Sequence, residues 1–134
     1  MSAPRPHHLN LVAEPGGVDR LAAFYTDLLA LEPVELPRDE GAYGANIHTL
    51  QDPQGYQYHF APAEPEFADR AGVPVNPLIG HLAFRVDDIA AIRERLDAAG
   101  IPYSDMGVWA IKGWHQLFTT DPVGRVIEFH QVVG

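Results

Sequence analysis

The chain has no cysteine. That excludes a disulfide framework and thiolate ligands, so any bound metal has to rest on nitrogen and oxygen. Positive charge is also scarce: 9 Lys and Arg against 18 Asp and Glu leave a formal charge of −9. Nucleic acid and anionic membranes reward basic patches, so neither is an expected partner. No apolar run approaches the ~18 residues of a membrane span, and the first residues lack the apolar core of a signal peptide. A cytoplasmic location is the expectation. What is present is an ordinary globular composition, 46% hydrophobic and 20% charged over 134 residues, which fits a single domain with a workable core. Histidine is comparatively rich, at seven. It is the commonest metal ligand and a frequent acid–base group.

One segment occurs twice. Asp52-Pro53-Gln54-Gly55-Tyr56-Gln57-Tyr58-His59-Phe60 returns as Asp121-Pro122-Val123-Gly124-Arg125-Val126-Ile127-Glu128-Phe129. Each copy has a D-P-x-G turn running into a strand, with a candidate ligand seven residues beyond the Asp. Upstream of each lies a strand carrying a His: His8 in the first copy and His81 in the second. Single D-P-x-G turns are common, because these are ordinary turn residues. Two of them, each with an upstream His at nearly matched distance, mark an internal repeat.

The elements follow the same division. Residues 7–13 alternate as a strand, and Gly16-Gly17 ends it. Apolar positions at Val18, Leu21, Ala22, Tyr25, Leu28 and Leu29 have helical spacing, with Pro33 as a stop. Short strands are expected over residues 34–36, 42–50 and 56–61, and the Pro-rich stretch 62–77 reads as a linker. The second copy opens with a strand over residues 80–86. Asp87 or Asp88 then offers a helix N-cap, Ile89, Ile92, Leu96 and Ala99 form the buried face, and Gly100 stops the helix. Strands near Tyr103 and over residues 114–119 and 125–132 complete it. Each copy reads β-α-β-β-β, which predicts an α+β domain of two repeats, about 5–62 and 78–133, with eight strands and two helices.

Strand parity sorts the side chains. His8, Asn10 and Val12 oppose Leu9 and Leu11; Gln57, His59 and Ala61 oppose Tyr58 and Phe60. His81, Ala83 and Arg85 oppose Leu82, Phe84 and Val86, and Glu128 and His130 oppose Ile127 and Phe129. One face is apolar and faces the helices, while the other collects ionisable groups around a cavity. On this reading His7 points to the surface, whereas His8, His59, His81 and Glu128 take equivalent slots as candidate metal ligands. Their donors suit zinc, iron, nickel, cobalt or manganese, and spacing does not choose among them. Glu128 and His130 are candidate proton-handling residues. Asn10, Arg85 and Trp114 are candidate substrate-binding residues, Arg85 for its ability to hold a carboxylate or phosphate.

The stretches His8-Leu9-Asn10-Leu11-Val12, Phe24 through Leu31, Gly80-His81-Leu82-Ala83-Phe84, Phe118 through Pro122 and Gly124 through Glu128 resemble the vicinal oxygen chelate superfamily, the glyoxalase/bleomycin-resistance/extradiol-dioxygenase fold. The resemblance runs along nearly the whole chain. It implies paired βαβββ modules forming a curled mixed sheet around a divalent metal, with ligands at His8, His81 and Glu128 and a variable fourth at His59. Glyoxalase I members usually have Glu at that fourth position and epimerase relatives Gln. Ala30 stands where the family usually has Gly in an L-G-L element.

The expected function is therefore a divalent-metal-dependent enzyme that chelates adjacent oxygens of a small substrate, working as an isomerase or lyase, or as a dioxygenase. The alternative is an antibiotic-binding or resistance protein of the same fold. A homodimer is expected, with the site built within one chain or shared across it.

Overall fold

The computed structural model describes residues 3–37 and 46–134. Eight strands and three helices are found among them: β1 (Arg5–Ala13), α1 (Val18–Leu29), β2 (Glu32–Pro33), β3 (His48–Gln51), β4 (Gln57–Pro62), α2 (Phe67–Ala71), β5 (His81–Arg85), α3 (Ile89–Ala99), β6 (Tyr103–Val108), β7 (Trp114–Thr120) and β8 (Val126–Val132). They make an α+β fold on one curled sheet, ordered β2-β3-β4-β1-β5-β8-β7-β6. β1 runs parallel to β4, β5 runs parallel to β8, and β1 and β5 meet antiparallel in the middle. The two halves of the sheet thus repeat the same order about the β1–β5 seam.

The repeated turns are alike in detail. Gly55 N donates to Asp52 O at 2.9 Å and Gly124 N to Asp121 O at 3.0 Å. Asp52 Oδ1 accepts from the backbone of Gln54 and Tyr56, and Asp121 Oδ1 from Val123 and Arg125. Gly55 and Gly124 close these turns with φ of 87° and 89°, a region that favours glycine over residues with a Cβ.

The apolar faces pack as their spacing requires. Val18 and Ala22 of α1 lie against Leu50 and Phe60, with Leu11, Tyr25 and Tyr58 around them. Ile89 and Ile92 of α3 lie against Val86 and Leu117, with Leu96 and Phe129 alongside. Asp88 caps α3 by accepting from Ala91 N, and Gly100 ends it in the left-handed region. No helix among the described residues is long and apolar enough to cross a membrane.

Three local expectations differ. Residues 34–36 are not a strand; β2 lies just upstream, although Val34 N still donates to Thr49 O of β3. The strand expected over 42–50 lies partly outside the described residues, and its described part is β3 from His48. The stretch read as a linker holds the last residue of β4, Pro62, and the short helix α2, which Phe67 anchors by burial and Gly72 closes with φ 72°.

Candidate functional site

The cavity lies on the sheet face away from α1 and α3, at the β1–β5 seam. Parity places its polar lining: His8 and Asn10 from β1, His59 from β4, His81 from β5 and Glu128 from β8. The register brings them level, with Asn10 opposite both His59 and His81. β7 adds Trp114, Gln116 and Phe118, every second residue of that strand, and the β6–β7 connection closes the top with Trp109, Ala110 and Ile111. The space inside is about 70 Å³, room for a handful of waters. No Lys or Arg lines it among the described residues.

Three residues from three strands converge. His81 Nε2 lies 3.1 Å and His8 Nε2 3.8 Å from Glu128 Oε1. One donor atom from each of His8, His81 and Glu128 falls within 4.8 Å of the other two. Metal–ligand bonds of roughly 2.0–2.2 Å put neighbouring donors about 3–3.5 Å apart, so little movement would close this trio on a cation. All the donors come from one chain, and the homodimer expected from the sequence is not needed to complete the set.

The surroundings fit a cation as well. Glu128 is 1% exposed, and no Lys or Arg is paired with it among the described residues. A buried carboxylate without a compensating charge is costly. Its hydrogen bonds come from His130 Nδ1 to Oε2 at 2.7 Å and from Gln116 Nε2 to Oε1 at 3.3 Å. Burial acts to raise the Glu128 carboxyl, but the His8 ring and the contacts with His130 and His81 outweigh it and hold the group well below the usual range. Burial, then the nearby His59 ring, pushes His8 well below its ordinary value. Burial favours the neutral form of the His8 imidazole, the form that can ligate. Asn10 Oδ1, His81 Nδ1 and Gln116 Oε1 are buried with no hydrogen-bond partner among the described residues. Such atoms call for a ligand or an explanation.

The other expected residues fall elsewhere. His59 is not in the converging trio. Its ring stacks on His8 with centroids 3.8 Å apart, and its Nε2 is bonded to Gln57 Oε1 at 2.8 Å. The β1–β4 register sets it beside Asn10, two pairs further along than His8, and its ring covers the His8 ring face. Burial lowers its pKa to about 3. Arg85 and His130 do not line the cavity. Arg85 has the expected parity, but it lies four residues past His81, about 13 Å along the strand. There its Nε donates to His130 Nε2 at 3.1 Å. Both ring nitrogens of His130 are therefore occupied, and it touches Glu128 rather than the cavity. Trp114 lines the cavity and stacks on His130, 4.1 Å between centroids.

His7 corrects the sequence reading most clearly. It lies inward, Nδ1 to Nδ1 at 2.9 Å from His8, because the β1–β5 register slips between Pro6 and His8. A bulge of this kind leaves one residue unopposed and breaks alternation. Burial, then His130 and Arg85, lower the His7 pKa to about 3. Gln116 escaped the sequence reading altogether, although its place between Trp114 and Phe118 on an alternating strand was the available signal.

Solved structures share the fold. Methylmalonyl-CoA epimerase from Mycobacterium tuberculosis superposes with a TM-score of 0.69 at 21% identity, over 100% of this chain and 94% of that one. A Streptomyces coelicolor methylmalonyl-CoA epimerase variant bound to 2-nitronate-propionyl-CoA gives 0.61 at 18%, over 99% and 100%. A homoprotocatechuate 2,3-dioxygenase variant from B. fuscum gives 0.60 at 21%, over 96% of this chain and 32% of that one. At these identities the likeness is one of fold. Among curated proteins nothing matches the chain. The family model described as Glyoxalase/Bleomycin resistance protein/Dioxygenase superfamily matches residues 5–129, and with that match across the two halves of the sheet the chain belongs to this superfamily.

Proposed function

We propose that the protein is a divalent-metal-dependent enzyme of this superfamily, acting as one domain of two βαβββ repeats, in which His8, His81 and Glu128 hold the metal. The observation that carries the reading is the convergence of two imidazoles and one carboxylate from three strands onto a common point, at the wall of a largely apolar cavity. When bound, a divalent metal supplies Lewis-acid polarisation of adjacent substrate oxygens, and ferrous iron also supplies oxygen chemistry.

The chain's own residues supply the rest. Among the described residues the cavity wall offers the substrate no cation, and its polarised or anionic oxygens are met at the trio. Asn10 Oδ1 and Gln116 Oε1, both unpartnered, accept hydrogen bonds from hydroxyl or amine groups of the ligand. Trp109, Trp114, Phe118 and Ile111 exclude water and strengthen every polar contact inside. Glu128 presents Oε1 to the cavity side and is the residue placed to move a proton in an isomerase or lyase reaction. The narrow space selects a compact substrate, or requires the β6–β7 connection to shift for a larger one.

Metal content distinguishes this reading from binding without turnover. His81→Ala and Glu128→Ala are each expected to lose stoichiometric metal, read by elemental analysis of protein purified without chelators, while near-ultraviolet circular dichroism stays native. Unchanged metal content in both variants rejects the site. The native metal then sorts the chemistry, iron favouring dioxygenation and nickel, zinc or cobalt favouring isomerisation.

A further inference from the structure

His7 and His8 are adjacent in sequence, yet the bulge turns both rings to one side of β1. His7 meets His8 at 2.9 Å through their Nδ1 atoms and sits edge-on to His130 and Trp114, with centroids 4.8 and 5.3 Å away. His130 in turn holds Glu128 Oε2 at 2.7 Å and receives Arg85 Nε at 3.1 Å. Trp114 lies flat on His130, 2° between planes, and the Arg85 guanidinium covers the Trp114 ring at 5.2 Å. Each of two trio members is therefore touched by one imidazole of an outer layer, and those imidazoles touch each other.

Donor and acceptor roles in this layer are constrained. A guanidinium only donates, so His130 Nε2 must accept and the ring proton sits on Nδ1, donated to Glu128 Oε2. That occupies Oε2 and leaves Oε1, which accepts from Gln116 Nε2 at 3.3 Å, toward His8 and His81. Between His7 and His8 one nitrogen donates and the other accepts. His8 Nε2 is 3.8 Å from Glu128 Oε1, beyond hydrogen-bond reach, whereas His8 Nδ1 has an acceptor within reach in His7. The proton belongs on His8 Nδ1, and the Nε2 lone pair then faces the trio.

We propose that His7 and His130, backed by Trp114 and Arg85, are positioning residues that set which nitrogen of His8 and which oxygen of Glu128 are presented to a divalent cation. The proposal rests on the trio being the cation site. Outer partners of metal ligands typically contribute about 10–100-fold in affinity.

Two measurements test it. In metal-free full-length protein, long-range nitrogen–proton NMR of the rings reads tautomers directly, and both His8 and His130 are expected as Nδ1–H. An Nε2–H tautomer at either residue overturns the assignment. Cobalt(II) titration followed by visible absorption then compares wild type with His7→Leu, His7→Asn, His130→Leu and His130→Asn. The leucine variants are expected to bind about 10–100-fold more weakly with shifted bands. The asparagine variants recover most of the loss, because a short amide supplies an acceptor at 7 and a donor at 130. Leucine variants that fold natively and bind cobalt within two-fold of wild type reject the proposal alone. A wild-type protein that takes up no cobalt rejects the trio as a cation site, and the proposal with it.

Discussion

At the C-terminal end of α1, Ala30 is held at φ 54° and ψ 47° while its N–H closes the helix on Thr26 O. The left-handed conformation crowds a Cβ and costs roughly 1–2 kcal/mol, which glycine escapes. Glycine is also freer when unfolded, and that offsets part of the gain. Ala30→Gly is expected to stabilise the protein by about 1 kcal/mol, read as a higher urea midpoint with unchanged slope. A lower midpoint would mean that Ala30 makes a packing contribution worth more than the strain. The strain was visible in the sequence only through the resemblance, since nothing in the local pattern says that residue 30 must turn left-handed.

Elements were legible where periodicity was strong and opaque where one residue broke it. The α1 and α3 faces, the two D-P-x-G turns and the parity of His8, His81 and Glu128 follow from alternation and turn chemistry, and the structure has them. His7 was lost because a bulge shifts parity by one residue without any signature in composition. Pro6 was a weak hint: β1 is interior to the sheet, and proline, having no N–H to give the ladder, is confined there to strand ends and bulges. Arg85 had the right face but the wrong height, and height depends on pairing register, which a single strand does not encode. The α3 cap, by contrast, was narrowed from sequence to Asp87 or Asp88, and Asp88 does the capping through Ala91 N at 3.3 Å. Asp88→Ala should therefore destabilise the protein by about 1 kcal/mol. Asp87→Ala should leave α3 intact, because that side chain pairs with Arg5 at 3.1 Å on the exposed surface. Equal losses in the two variants, measured by chemical denaturation, would show that capping is not the difference between them.

Across the whole molecule the buried histidines tie stability to pH. Folding buries several imidazoles beside one another, and the native pKa values of His7 and His59 fall to about 3 from 6.5. Below pH 6.5 the unfolded chain binds protons that the folded chain refuses, so acidification favours unfolding. Stability is complete above the unfolded value and is lost as pH falls through the window from 6.5 toward 3. From pH 7 to pH 5, His59 alone should remove about 2 kcal/mol, and His7, being partly exposed, should remove less. His8 shifts in the same direction and adds to the loss. Glu128, held below its ordinary value, contributes the same sign only at lower pH. Urea midpoints of chelator-treated protein at pH 7 and pH 5 check this, and equal midpoints would mean the rings are not buried neutral. Adding a divalent metal should raise the midpoint at pH 5 as well as at pH 7, since the His8 ring of the folded state is free of protons at both and ligand binding stabilises only the folded state.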